Sequence, residues 1–348
     1  MSTAAPPIDP LLPSQPRWRV SSRFRRHPIV AFIVRRVTAG VATLVVASFL
    51  IFAAIEVLPG NVASIVLGRN ATPARVAALQ ADLHLNRPLI PRYLEWLGNM
   101  VTGHLGNSSA ALAQGSKVPV WQIIHTPLRN TLVLAAITIL IFIPLCLTLG
   151  SAAALRAGRG TDHVISLTAL ALGALPEFLV GTLLIVIFFS QLHLLPPISP
   201  VTPGETPFSH PDALVMPVLT LLCVSTAFGT RLVRASTIEV LREDYVAMAR
   251  LNGYSERRVI LRYALRNALA PSVQVCAQMI QYLIGGIIIT ESVFNYPGIG
   301  SALVQAVLIR DTQETSVIAV ILAAIYIFVN IVADLVVVFL VPKLRTQV

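Results

Sequence analysis

Hydrophobic positions in this chain come in long runs rather than in the alternation of a strand or the single stripe of a surface helix. Six runs stand out, at residues 37–58, 131–155, 164–189, 213–235, 268–290 and 315–341. Each reaches the ~20 residues that a helix needs to cross a ~30 Å hydrocarbon layer at 1.5 Å per residue. The pattern predicts an all-α polytopic membrane protein with six transmembrane helices. Polar positions gather in two places between the runs: a long segment at 59–130, and a shorter basic loop at 236–267.

Charge sets the orientation. With the N-terminus inside, the inner segments hold 19 of the 26 Lys and Arg residues, and the outer segments hold 7. Basic residues concentrate in the cytoplasmic loops of membrane proteins, so both termini are expected in the cytoplasm. Composition agrees: 55% of residues are hydrophobic and 12% charged. A soluble domain carries about 25% charged residues. The net charge of +10 therefore reads as affinity for anionic membrane lipid, not for nucleic acid. Cys146, Cys223 and Cys276 all lie in apolar runs without paired spacing, which predicts neither a disulfide framework nor a metal site. Residues 1–30 form a Pro-rich, then basic extension expected to be disordered. The apolar run after it is too long for a signal-peptide core and reads as an uncleaved anchor.

The long outer segment carries helix signals of its own. Thr72-Pro73 supplies an N-cap and a first-turn proline for a helix to about Leu83. Tyr93, Trp96, Leu97 and Met100 share one face of a second helix, which is expected to lie at the membrane interface or to meet an external partner.

The basic loop holds the most informative stretch. A short helix is predicted over 245–252, stopped by Gly253 in a left-handed position. Ser255 is placed to cap a second helix, on which Arg258, Arg262 and Arg266 recur every four residues as one stripe. A chain needs no capped helix merely to turn round. The segment Asp244, Tyr245, Met248, Ala249, Asn252 and Gly253 is the candidate docking surface for a soluble partner.

Here the chain resembles a known family. Ala247-Met248-Ala249, three residues, then Gly253 is similar to the cytoplasmic coupling motif of binding-protein-dependent ABC importer permeases, with the usual glutamate and first alanine replaced. The dipeptide/oligopeptide permeases are matched more fully. Asp244-Tyr245-Val246, Ser255-Glu256-Arg257-Arg258-Val259, Leu265-Arg266-Asn267-Ala268-Leu269 and Glu291-Ser292-Val293-Phe294 resemble that group. So do Tyr296-Pro297-Gly298-Ile299-Gly300, Leu58-Pro59-Gly60, Leu105-Gly106, and Asn330 and Asp334 with Pro342-Lys343-Leu344-Arg345. Asn61, His104 and Asn107 depart from the group's usual residues.

The resemblance implies a type I ABC importer permease fold over 31–348. It implies a second homologous permease subunit, two ABC ATPase subunits that hold ATP and Mg, and an external solute-binding protein, in the bacterial inner membrane. This chain would then be a transport subunit and not an enzyme. No Gly-x-x-x-x-Gly-Lys-Ser/Thr loop occurs in it, and Gly115-Ser116-Lys117 lacks the spacing. The implied cargo is di- or oligopeptides, with nickel chelates, glutathione, opines or sugars as alternatives. A proton-coupled secondary transporter with Glu177 and Asp334 as relay, or a scaffold without transport, are the readings from other classes.

Candidate pathway residues follow from polarity inside the runs. Gln274, Gln278 and Gln281 share one helical face, either as a polar lining or as hydrogen-bond partners of other helices. Glu177 is expected near the middle of the third span, after Pro176. An acid at that depth is a functional candidate, facing the cavity and favouring a cationic solute, or a structural group. Asp334 is expected to pair with an arginine. Gly285, Gly286, Val293 and Phe294, with the turn at Pro297–Gly300, are candidates for an outer gate, or else for close helix packing.

Overall fold

Long apolar runs become long helices, because a backbone in lipid can satisfy its polar groups only along its own helix. The computed structural model describes residues 28–57, 67, 71–82, 87–202 and 204–340. Most of the N-terminal extension, Leu58-Pro59-Gly60 with Asn61, and Pro342-Lys343-Leu344-Arg345 lie outside the described residues. The helices are α1 (Pro28–Val57), α2 (Pro73–Asp82), α3 (Leu89–Val101), α4 (Ser109–Ala113), α5 (Val120–Leu155), α6 (Gly160–Gly173) and α7 (Glu177–Leu184). They continue as α8 (Pro211–Leu241), α9 (Asp244–Leu251), α10 (Glu256–Arg258), α11 (Leu265–Val293), α12 (Ile299–Leu308) and α13 (Thr312–Leu340). Among the described residues five helices are long and apolar enough to span a membrane, and six if the bent pair α6–α7 counts as one.

That pair is the main departure from the expected straight third span. α6 and α7 meet at 103°. Pro176 stands at the break with φ −61° and ψ 145°. Its ring supplies no N–H and drives the residue before it out of the helical region. Glu177 therefore opens a new helix instead of sitting within a continuous one. α7 then runs on through a π-helical segment, Ile185–Gln191.

α8 is the central helix: 78% of its most apolar stretch is buried, against 11% for α1. α5 packs most closely on it. A Cβ on Gly229 would lie 2.6 Å from Cys146 Sγ and 3.2 Å from the Phe142 ring, so only glycine allows the approach. Leu134, Phe142, Leu221, Leu283 and Ile287 close the core around this contact.

The two ends of the bundle are held differently. At the end that carries α9, ion pairs join helices. Arg234 grips Asp162 of α6 through Nε at 2.5 Å and Nη2 at 2.7 Å, and Arg36 of α1 pairs with Asp334 of α13. At the opposite end, buried carboxylates cap helix N-termini. Glu291 accepts from Gly300 N at 2.7 Å, from Ser301 N at 3.2 Å and from the Thr131 hydroxyl. A Cβ on Gly298 would overlap that carboxylate. The same Thr131 oxygen accepts from Ile299 N at 2.8 Å, which ties α5 to α12. Tyr296, fully buried, donates to Asn130 O at 2.8 Å. Burial and then the nearby Glu291 push its hydroxyl well above the ordinary tyrosine range.

Asp311 does the same work one loop later. It accepts from Ser109 N at 3.0 Å, Ala110 N at 3.2 Å, Glu314 N at 3.0 Å and the Ser108 hydroxyl. One side chain therefore caps both α4 and α13. The aromatic face expected on α3 is turned onto α1: Tyr93 lies 5.2 Å from the Phe49 ring and 5.7 Å from Phe52, and donates to Val45 O at 3.1 Å. Contact with the chain's own first span explains those aromatics.

Replacing Glu291 with Ala leaves the donors of α12 buried without a partner and is expected to destabilise the protein by about 3 kcal/mol, whereas Thr131→Val costs about 1 kcal/mol. The midpoints of heat unfolding in detergent micelles measure both, and the glutamate variant should unfold first.

Candidate functional site

Among the described residues, α9 and one cavity bring together side chains that the fold itself does not fully use. The C-terminus of α9 is closed as a Schellman motif: Gly253 N donates to Arg250 O at 3.0 Å and Tyr254 N to Ala249 O at 3.4 Å. Gly253 has φ +76°, a conformation a side chain would strain. Val246 and Ala249 are buried with Val259 and Ala264, so one face of α9 is fastened to the loop that follows. Met248 is 58% exposed and Leu251 81%, beside exposed Tyr245 and Asn252. The helix is thus anchored on one side and apolar on the other. Ala249, one of the candidate docking residues, lies on the anchored side.

The next turn differs in detail from the expectation. Ser255 takes the N-cap backbone position, but its side chain makes no capping hydrogen bond. A π-helical segment, Val259–Ala264, separates α10 from α11 and breaks the four-residue register of the arginines. Arg258 instead lies over the Tyr254 ring at 4.7 Å, and Tyr254 stacks on Tyr263 at 5.7 Å. Arg250 reaches Glu256 at 2.9 Å, clipping α9 to the start of α10.

The second place is a cavity of about 620 Å³ between α7, α11 and α13. Its lining includes Glu177, Gln281, Tyr282, Gly285, Gly286 and Tyr326. Position 282 is central in the apolar stretch of α11, and Leu322 to Tyr326 are central in that of α13, so the cavity opens at mid-depth. Gly286 lets α11 approach α7; a Cβ there would overlap the Glu177 carboxylate. Gly285 meets nothing within 4 Å.

The structure thus gathers Glu177, Gln281, Gly285 and Gly286 and leaves Gln274, Gln278, Val293 and Phe294 apart. Gln274 and Gln278 are exposed, outside the cavity lining. Val293 and Phe294 pack on α7, where a Cβ on Gly181 would come within 3.2 Å and 3.3 Å of them; Phe294 is fully buried. Asp334 is engaged by Arg36, so no relay with Glu177 is assembled. Tyr282 and Tyr326 were not expected in a site. The signal was there: tyrosine favours the headgroup zone, and two at mid-span are out of place in lipid.

Known proteins resemble this chain over most of its length. Residues 146–346 match the model of a family described as the binding-protein-dependent transport system inner membrane component, and residues 29–135 match the corresponding N-terminal family. The probable peptide ABC transporter permease protein y4tP of Sinorhizobium fredii is 32% identical over 318 residues, which cover 90% of this chain and 99% of that protein. The di/tripeptide transport system permease protein DppB of Pseudomonas aeruginosa is 32% identical over 340 residues, 92% of this chain and 100% of that protein. The glutathione transport system permease protein GsiC of Escherichia coli is 31% identical over 314 residues, 90% and 98% respectively.

The two adjacent glycines separate packing from lining. Gly286→Ala must push the Glu177 carboxylate aside and is expected to cost about 1 kcal/mol, while Gly285→Ala leaves stability unchanged. Unfolding midpoints of the two variants in detergent check this.

Proposed function

The chain belongs to the inner-membrane components of binding-protein-dependent transport systems, as a peptide-type ABC importer permease, and from that premise we propose how it works. It crosses the bacterial inner membrane six times, with α6 and α7 as one broken span and both termini in the cytoplasm. It forms half of a translocation pathway, with a second homologous permease as the other half. Two ABC ATPase subunits bind ATP and Mg, and an external binding protein delivers the solute. The cargo is a di- or oligopeptide; glutathione, itself a peptide, is the nearest alternative.

One observation carries the mechanical part of this reading: α9 is held rigidly on one face and offers Tyr245, Met248 and Leu251 on the other. Apolar side chains on a cytoplasmic loop cost solubility unless a partner covers them. An ATPase groove that takes up these residues moves α9 as the nucleotide sites close and reopen. Val246 and Ala249 pass that movement to the segment leading into α11. The cavity at Glu177, Gln281 and Gly285 is then part of the solute path, opened alternately to each side.

The test is reconstitution with the second permease, the ATPases and the binding protein in proteoliposomes. Wild type should take up a peptide such as trialanine only with ATP inside the ATPase compartment. Met248→Asp buries a charge in the joint and is expected to lower uptake more than tenfold while the permease still folds. Normal uptake by that variant, or no association of an ATPase with this chain, overturns the proposal.

A further inference from the structure

Glu177 differs from the other acids of the bundle in its place, at mid-depth on a cavity. It is 8% exposed, yet accepts no hydrogen bond and pairs with no cation among the described residues. With no such protein partner, its carboxylate faces the cavity and is free to meet a ligand there. Glu177 begins α7, with its negative charge at the positive end of the helix dipole. Its carboxylate rests on the bare backbone of Gly286 and lines the mid-depth cavity.

What surrounds it has a definite chemistry. Tyr282 is 47% exposed and Tyr326 44%, and both rings line the same cavity from α11 and α13. Phe228 packs against Tyr282 at 5.8 Å between ring centroids, which steadies that ring. Gln281 adds an amide with donors and an acceptor. No Lys or Arg lies in the lining. A carboxylate that shares a cavity with two tyrosines attracts an organic ammonium ion, through charge and through cation–π contact within about 6 Å of a ring. The volume of about 620 Å³ suits a small organic solute.

We infer that Glu177, Tyr282 and Tyr326 form an ammonium subsite inside the membrane, which takes the terminal amino group of a peptide while Gln281 hydrogen-bonds its backbone. The inference rests on the reading that this cavity belongs to the solute path. It adds that the permease itself reads charge, beyond whatever the binding protein selects.

The experiment uses the complete reconstituted importer, with trialanine and N-acetyl-trialanine as probes. Uptake is normalised to each peptide's occupancy of the binding protein, and binding-protein-stimulated ATP hydrolysis is measured alongside. Glu177→Gln should lower trialanine uptake about tenfold, with N-acetyl-trialanine and ATP hydrolysis unchanged. Glu177→Asp should recover most of the loss. Tyr282→Phe keeps the aromatic face and should transport within twofold of wild type, whereas Tyr282→Leu should not. If the acetylated peptide is not delivered, the Gln/Asp and Phe/Leu contrasts on trialanine decide alone.

Equal trialanine uptake by wild type and Glu177→Gln overturns the subsite. So does a parallel fall of both peptides or of ATP hydrolysis, which assigns Glu177 to structure or to a pairing with the second permease. Failure of the wild-type complex to transport is a different result, and it removes the functional reading instead.

Discussion

Backbone donors at a helix start have nowhere to go in lipid, and this constraint organises the whole structure. At the end opposite α9, three helix starts are answered by a buried carboxylate. Glu291 closes the N-terminus of α12, and Asp311 closes those of α4 and α13. Each also reaches a hydroxyl on another element, Thr131 or Ser108, so a local cap becomes a tertiary joint. Glycine at 298 is required because the carboxylate occupies the space of a Cβ. The end that carries α9 solves a different problem with a different device. Arginines there lie near water, and the pairs Arg234–Asp162 and Arg36–Asp334 fasten spans side to side.

Against that background the cavity acid is an exception with a location. Glu314 also lies buried without a side-chain hydrogen bond among the described residues, but it sits beside Asp311 in the first turn of α13, at the bundle's end. Glu177 sits at mid-depth, where the break at Pro176 turns the chain through 103° and exposes a helix start to a cavity. A broken span is tolerated in a membrane where it lines a cavity or is buried in protein. Bend, acid and cavity coincide in one place.

The helices were legible in the sequence because hydropathy reports them directly. The runs at 213–235 and 268–290 lie inside α8 and α11, and α9 with its Gly253 stop falls within a residue of its expected place. Helix ends were less legible. α5 starts at Val120, well before its apolar run, since a helix goes on pairing backbone groups after it leaves the lipid. The bend at Pro176 was hidden because Pro127, Pro144, Pro217 and Pro271 sit inside helices that continue. Composition alone does not say which proline breaks its helix. Of the site, Glu177 and Gln281 could be read from polarity in an apolar run. Their meeting with Tyr326 could not, because it depends on how α7, α11 and α13 pack. The joints that Glu291 and Asp311 make were invisible for the same reason: Thr131, Ser108 and Ser109, which they reach across the fold, lie far away along the chain.

α11 connects these places mechanically. It begins where the π-helical segment Val259–Ala264 leaves the α9 loop, carries Gln281, Tyr282 and Gly286 past the cavity, and ends at Glu291. From its start to Gln281 it rises roughly 25 Å, and a helix of that length moves as a rod. Its far end is pinned to α12 through Glu291, and its near end is packed against α9 through Val259 and Ala264. In the proposed mechanism a push on Met248 would tilt α11 about the Glu291 joint. The π-helical segment, with its wider turn, is the element able to absorb the change of angle. Such a tilt slides Gly286 across the Glu177 carboxylate, because nothing larger than a hydrogen atom separates them. The α11 residues that line the cavity and the exposed residues of α9 are thus joined through the π-helical segment Val259–Ala264.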